Sequence, residues 1–372
     1  MIYDMSAGKS CNRVDSNLLI SVVIPAYQAV NTIKRAVDSA LSIPVDSVEV
    51  IVVDDGSTDG TAEVLSGISA LDTRLRVIRQ ENSGRSVARN NGFNHSNGKW
   101  VMFLDADDYL IPGDYGALVD AAVVNNLGLI ICQHSRPDTS KAKARDIMAS
   151  LSDMSVVSAD SLRRVMIDGG CSDFIEGASR YEFNAAWARL YRRDLIAATV
   201  DCLGGRLAPF PLGLRFSEDR LFNFEYLWLL GEGKVGFVPF CAYHWDIGSS
   251  ATCGVVRSQD VDSLVRYMSV VEALRGRGLF DMRETQLLIS REFMGQFNKA
   301  VKAGSAFPEV RKAWFRAFDA LWLREHLVEC PRESLGVYGE LRPAWGLLTR
   351  GHLRAAFALY GALAKAREVI KH

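Results

Sequence analysis

No run of about 18 apolar residues occurs in the chain, so no transmembrane helix is expected. Residues 1–17 are polar and lack an apolar core, so they are not expected to act as a secretory signal. No two cysteines are spaced C-x-x-C, and their total of seven is odd. Neither a disulfide framework nor a zinc site is therefore suggested, and scattered buried thiols fit a reducing, cytoplasmic setting. An excess of one charge is also missing. A net charge of −1 denies the concentrated basic field that an extended nucleic-acid surface needs. No internal repeat or low-complexity segment stands out. What is present is apolar: 48% of the residues are hydrophobic, enough for a full core. At 372 residues the chain is long for one core, so two units are expected.

The most informative segment is Phe103-Leu104-Asp105-Ala106-Asp107-Asp108. The apolar run from Trp100 to Leu104 reads as a buried strand, and three acids follow at its carboxyl end. Open α/β sheets place their ligands there. Carboxylates this close repel one another, so a positive partner is expected. A divalent cation with a phosphorylated ligand suits them, because hard cations take oxygen ligands and clamp phosphates. A solvated turn with an acidic helix cap is the plainer alternative.

Two further strand ends match the first. Val48 to Val53 runs into Asp54-Asp55-Gly56-Ser57-Thr58-Asp59-Gly60-Thr61, and a helix is expected over Thr61 to Ile68. Leu18 to Ile24 is apolar and ends at Pro25-Ala26-Tyr27-Gln28; Ile33, Ala36, Val37, Ala40 and Leu41 then recur at helical spacing. Alternating strands and helices with one crowded edge describe a parallel α/β sheet. Gly116 to Asn125 reads as a helix and Gly128 to Cys132 as another strand, after which the pattern weakens from His134 to Asp173.

These segments, in order, resemble the family 2 glycosyltransferases. The resemblance lies in Ser21 to Tyr27, Val53 to Asp59, Asn82-Ser83-Gly84 with Ala88 to Gly92, and Leu104 to Asp108. Four motifs in order over about ninety residues are far more specific than a lone glycine-rich match. Ala186 to Leu195, with Arg189 in place of a lysine, and Phe216-Ser217-Glu218-Asp219 are similar to later family segments. So are Tyr243-His244-Trp245 and Ser249 to Thr252, except that Asp246 stands where the family has an arginine. That departure puts a phosphate contact at this position in doubt.

The resemblance implies a GT-A (Rossmann-like) mixed sheet flanked by helices, a nucleotide-sugar donor, Mn²⁺ or Mg²⁺, and inversion at the anomeric carbon. It implies Asp107 as the main metal ligand, with Asp105 assisting and facing the sugar or ribose. Asp54 and Asp55 are then expected at the base and ribose, with Tyr27 stacked on the base and Pro25 shaping its loop. Arg85 and Arg89 are expected as donor-side cations. Asp219 aligns with the family's general base and Glu218 with an acceptor-orienting carboxylate; Ser217-Glu218-Asp219 would equally start a helix. Trp187 is a candidate wall of the acceptor site or a core residue. His244 is a candidate third metal ligand or diphosphate donor, or a packed histidine.

The expected organisation is a flexible leader (1–17), a GT-A catalytic domain (18–253) and a C-terminal all-helical extension (254–372). Within the catalytic domain, 18–110 form the nucleotide-binding half and 180–250 the acceptor half. After Gly254, Val261, Leu264, Val265, Met268, Val271 and Leu274 recur at helical spacing. So do Leu287, Leu288, Phe293, Met294 and Phe297, and then Trp314, Phe315, Phe318, Leu321 and Trp322; these stripes read as core. The tail 345–372 carries Arg350, Arg354, Lys365, Arg367 and Lys371 between apolar residues. It suits either an anionic membrane surface, with the enzyme peripheral on the inner face, or packing on the preceding helices.

The expected function is therefore transfer of a hexosyl or related sugar from a nucleotide-sugar, a UDP-sugar in most relatives. The acceptor is the hydroxyl of a glycan or lipid-linked glycan, in bacterial polysaccharide synthesis. One alternative is a nucleotidyltransferase, but that class needs a Gly-rich basic loop after the first strand, where this chain has Pro25 to Val30. The other is a catalytically silent sugar-binding scaffold, against which Asp105, Asp107 and Asp219 argue together.

Overall fold

The computed structural model describes residues 19–43, 48–136, 147–202, 208–246 and 259–302, with isolated positions between 347 and 359. The leader, the polar loop from Pro137, Ser249 to Thr252, the stripe from Trp314 to Trp322 and nearly all of the tail lie outside the described residues.

The first half alternates strand and helix: Ile20–Ala26 (β1), Ile33–Leu41 (α1), Val48–Asp54 (β2), Thr61–Ser69 (α2), Leu75–Arg79 (β3), Arg85–Asn94 (α3) and Trp100–Phe103 (β4). Each choice has a local cause. In α1, Ile33, Ala36, Val37 and Ala40 are all buried, the spacing of one helix face. Every residue of β2 is buried, as befits a strand covered on both faces. β1 extends past the expected end at Ile24, because Pro25 and Ala26 remain in register with Val53 and Asp54. Tyr27 is thereby delivered beside the acids that end β2.

The second half contains Tyr109–Leu110 (β5), Tyr115–Val124 (α4), Leu127–Ser135 (β6), Ile147–Leu151 (α5), Ser155–Ser158 (β7) and Ala159–Asp168 (α6). Arg189–Arg192 (β8), Arg193–Cys202 (α7), Glu218–Leu230 (α8) and Lys234–His244 (β9) follow, then Gln259–Gly276 (α9) and Met282–Lys302 (α10). The stretch where the sequence pattern fades holds β7 and α6. β7 is short and not buried at any position, so it shows no apolar alternation. The α6 helix is marked mainly by its ends: Ser158 accepts from the Ser161 N–H, and Gly169 closes it at φ 78°. A left-handed residue after the last turn is the conformation glycine takes at least cost.

The nine strands among the described residues form one sheet in the order β3-β2-β1-β4-β8-β6-β9-β5, with β7 also paired to β9. β3, β2, β1 and β4 are parallel; β8 is antiparallel to both β4 and β6. The chain winds outward from β1 to β3 and then crosses back to β4 on the other side of β1. The loops leaving β1 and β4 therefore part in opposite directions and open a crevice at their carboxyl ends.

Two apolar layers cover the sheet. On β1, Val22 and Ile24 face one layer and Val23 the other, the alternation a pleated strand imposes. The second layer also contains Phe222 and Phe224 of α8, Leu264 and Met268 of α9, and Phe293 and Phe297 of α10. The C-terminal helices thus share a continuous core with the acceptor-side elements.

Candidate active site

The crevice is built from four loop systems. On the β1 side the loops hold each other. Gln28, at φ 52°, donates its N–H to Ser57 Oγ at 3.0 Å and accepts from the Thr58 N–H through Oε1 at 2.7 Å. The Ala29 and Val30 N–H groups donate to Thr61 Oγ1 and to Asp59 at 2.9 and 3.0 Å. The serine, threonine and aspartate after β2, expected as helix caps, thus also clasp the β1 loop. Tyr27 sits on this fixed loop with 53% of its surface exposed, and Pro25 is half-buried beneath it.

Asp54 and Asp55 are both buried. Asp54 accepts from the Ser57 N–H at 2.9 Å, and its second oxygen lies 3.7 Å from Arg79 with no hydrogen-bond donor among the described residues. Asp55 accepts from Gln80 Nε2, the Ser83 N–H and the Gly84 N–H at 2.7, 2.9 and 2.8 Å. Its two oxygens are spent on shaping the loop that starts α3. At Gly56 (φ 77°) a Cβ would lie 2.9 Å from the Asn82 backbone nitrogen, so glycine is required for the two loops to touch.

The acidic turn after β4 divides its labour. Asp108 is buried; it accepts from Tyr243 Oη at 2.5 Å and from the Asp246 N–H at 2.8 Å. Burial, with Asp105 and Asp107 adding to it, pushes the Asp108 carboxyl up to about 8. Asp105 and Asp107 are only partly buried. The Asp107 carbonyl accepts from Arg35 at 2.6 Å, and the same Arg35 nitrogen donates to Asp246 at 3.0 Å. The residue that departs from the family pattern therefore binds a cation from α1, 211 positions away.

Across the crevice, α8 begins at Ser217 with φ 60°, a strained conformation for serine. Its hydroxyl donates to Glu292 of α10 at 2.7 Å, and Arg220 pairs with the same carboxylate at 3.1 Å. Next come Glu218, buried, and Asp219, one-fifth exposed. Arg89 stands between the two sides. It is 1% exposed; one nitrogen lies 2.7 Å from Asp105, the other 2.5 Å from Asp219 and 3.4 Å from Glu218. Arg85, half-exposed, pairs with Glu218 and donates to the Arg215 carbonyl at 3.1 Å. Burial pushes the Asp219 carboxyl up, to about 6, while Arg89 pulls it down.

Three candidate residues are engaged by neighbouring side chains. Arg89 was expected as a donor-side cation, but its guanidinium is enclosed and paired with three carboxylates. His244 was open as a third metal ligand, a diphosphate donor or a packed histidine; its Nδ1 is 2.9 Å from Ser135 Oγ and its ring stacks on Tyr109, 4.6 Å between centroids. Among the described residues no three His, Cys, Asp or Glu side chains are grouped to hold a metal ion. Trp187, open as a wall of the acceptor site or a core residue, is 7% exposed and stacked on Tyr243 at 4.5 Å, as a core residue is.

Residues that the sequence did not single out include Arg35, Asp108, Tyr243, Ser217 and Glu292. Asp108, Ser217 and Tyr243 lay inside noted motifs. Arg35 and Glu292 carry no sequence signal, because each meets its partner only through the fold.

Residues 21–190 match the family described as Glycosyl transferase family 2. The Bacillus subtilis putative glycosyltransferase EpsH is 28% identical over 236 residues, 62% of this chain and 62% of EpsH. The match to the uncharacterized glycosyltransferase EpsJ of the same organism takes in 55% of each chain. Both matches therefore span less than two thirds of those relatives. Pasteurella multocida chondroitin synthase is 42% identical over 94 residues, 25% of this chain and 10% of that protein. Among solved structures, S. aureus TarS 1–349 in complex with UDP-GlcNAc superposes with TM-score 0.61 at 16% identity, covering 94% of this chain and 92% of TarS. That likeness establishes the GT-A fold, and the sequence match makes residues 21–190, a little under half of the chain, similar to the family 2 glycosyltransferases.

Proposed function

We propose that this chain is an inverting glycosyltransferase. It moves a sugar from a UDP-sugar to a hydroxyl of a glycan or lipid-linked glycan during cell-surface polysaccharide synthesis. The observation that carries the reading is the pairing of a largely enclosed carboxylate, Asp219, with the half-open acids Asp105 and Asp107 across one crevice. UDP-GlcNAc bound by TarS, and the polysaccharide role in the name of the Pasteurella enzyme, support the donor and the setting.

On the donor side, Tyr27 offers an exposed ring to the base, and Asp54, one of whose oxygens accepts no hydrogen bond among the described residues, is the carboxylate assigned to a base N–H or a ribose hydroxyl. Asp105 and Asp107 are hard oxygen donors one residue apart. Mg²⁺ and ions like it are commonly held by one or two carboxylates with substrate phosphates completing the shell, so the pair fits such an ion even without a third protein ligand. When bound, Mn²⁺ or Mg²⁺ would supply positive charge against the leaving diphosphate.

On the acceptor side, Asp219 takes the proton of the attacking hydroxyl. The acceptor oxygen forms a bond to the anomeric carbon as the bond from that carbon to the diphosphate oxygen breaks, and the nucleoside diphosphate leaves. A base is most useful when its proton affinity lies near the working pH, which burial achieves here. Glu218, held by Arg85 and Arg89, orients the acceptor from beside the base.

Incubating the protein with a panel of nucleotide-sugars and Mn²⁺ tests the reading. UDP-sugar hydrolysis is expected, along with a rise in melting temperature in UDP, because a ligand that binds only the native state must stabilise it. Absence of both across UDP-, GDP- and dTDP-sugars would defeat it.

A further inference from the structure

We propose that Arg89 is a positioning residue that fixes Asp219 against Asp105, so that one charge on α3 sets the base and the donor-side carboxylate in a single frame. The inference rests on the reading of the crevice as a glycosyltransferase site and assigns Arg89 a role in the transfer step rather than in holding the nucleotide.

The geometry carries the argument. Asp105 follows β4, whereas Glu218 and Asp219 open α8, 129 and 130 positions from Arg89 in sequence. No backbone ladder ties these segments directly; the guanidinium does, with Asp105 on one nitrogen and Asp219 and Glu218 on the other. The fork is itself located. Its carbon lies 5.3 Å from the centre of the Phe210 ring, and Phe210 is held by the next residue of α3. Asn90 Nδ2 donates to the Phe210 carbonyl at 2.9 Å, and the Phe210 N–H donates to Asn90 Oδ1 at 2.8 Å.

Enclosure decides between the two roles. With 1% of its surface exposed, Arg89 cannot meet a diphosphate without leaving all three carboxylates. The side chains of Asp105 and Asp219, 29% and 20% exposed, are the more accessible groups of the cluster. Of the three carboxylates Arg85 pairs with Glu218 alone, so without Arg89 no ion pair among the described residues would offset Asp105 against Asp219, and the carboxylate across the crevice from the donor would be the first to move. Lysine retains the charge but not the planar fork, so it cannot hold both sides at once.

The test uses the full chain with Arg89→Lys, Arg89→Met, Asp219→Asn and the Arg89→Lys/Asp219→Asn double variant. UDP binding is measured by calorimetry with Mn²⁺ present, and kcat and KM for donor and acceptor are measured separately. For Arg89→Lys, UDP affinity is expected to stay within about threefold while kcat falls on the order of 10²-fold, the scale of a mispositioned base. Arg89→Met is expected to lose more, so that lysine rescues part of the activity. The double variant is expected to be no slower than Asp219→Asn alone, because residues acting as a unit are not additive.

A parallel loss of UDP affinity and kcat in Arg89→Lys would make Arg89 a donor contact and overturn the proposal. Multiplicative losses in the double variant would do the same. A wild-type protein that neither binds UDP nor hydrolyses any nucleotide-sugar would defeat the proposed function instead. In that event the strut is read from urea unfolding of the same four proteins: coupling between Arg89 and Asp219 supports it, and additivity overturns it.

Discussion

The two sides of the crevice are assembled by different means. The β1–β4 side is closed by neighbours: Gln28 meets Ser57 and Thr58, and Asp55 holds Gln80, Ser83 and Gly84. All these residues come from consecutive loops, and most of the bonds use backbone N–H groups. The α8–β9 side is closed by charge from afar. Asp219 depends on Arg89, Ser217 on Glu292, and Asp246 on Arg35. The first kind of site can be carried by a short motif, since the motif contains its own supports. The second kind cannot, since half of each contact lies elsewhere in the chain. A division of function follows: donor binding should survive damage to the charged side, and chemistry should not.

The largest expected effect tests the donor side. Asp107→Ala is expected to abolish transfer and to remove the Mn²⁺-dependent part of UDP binding, because the charge opposite the diphosphate is lost. EDTA should do the same to the wild type. A folded Asp107→Ala protein with wild-type turnover, or full activity in EDTA, would end the assignment.

Asp219→Asn probes the opposite side. Turnover should fall roughly 10²-fold or more, with UDP affinity unchanged in calorimetry. The base must be ionised to work, and burial pushes Asp219 up to about 6. The wild-type rate should therefore rise with pH through about 6 and level off above it, and the asparagine variant should lose that limb. A loss of UDP affinity with turnover preserved would move Asp219 to the donor side and erase the contrast between the halves.

A smaller change separates the exposed ring from its frame. Tyr27→Ala is expected to weaken UDP by about tenfold, since stacking on a base contributes roughly 1–3 kcal/mol. The melting temperature of the unliganded protein should hardly move, because the ring is half open to solvent and the loop is fixed by Gln28. Unchanged UDP affinity in a titration would remove the base-stacking role.

Legibility in the sequence follows the same divide. The parallel strands, the acids at their ends and the order of the motifs could be read because apolar runs and turn residues are local signals. The roles of single residues inside those motifs could not. Asp105, Asp107 and Asp108 look alike in sequence, yet only Asp108 is enclosed by Tyr243 and the Asp246 N–H. Arg89 looks like a surface cation on a helix until α8 is folded against it. His244 was readable as a ligand because histidine often is one, but pairing of β5 with β9 sets it opposite Tyr109. The short edge strand β7 offered no pattern because neither of its faces is buried.

The last and smallest effect asks how far the C-terminal helices reach into the chemistry. Glu292 lies on α10, is buried, and holds both the strained Ser217 and Arg220. Glu292→Ala removes the acceptor for Ser217 and one carboxylate partner of Arg220, at a cost of about 2 kcal/mol in unfolding free energy. Ser217 immediately precedes Glu218 and Asp219, so relaxation of its backbone should shift the base by a fraction of an ångström. Turnover is then expected to fall several-fold while UDP affinity stays at the wild-type value. Glu292→Gln, which can still accept from Ser217, should recover part of the turnover but less of the stability, because it does not neutralise Arg220. If urea unfolding shows the loss in Glu292→Ala but kcat is untouched, α10 supports the core alone. The acceptor side would then need no help from the C-terminal helices in placing its base.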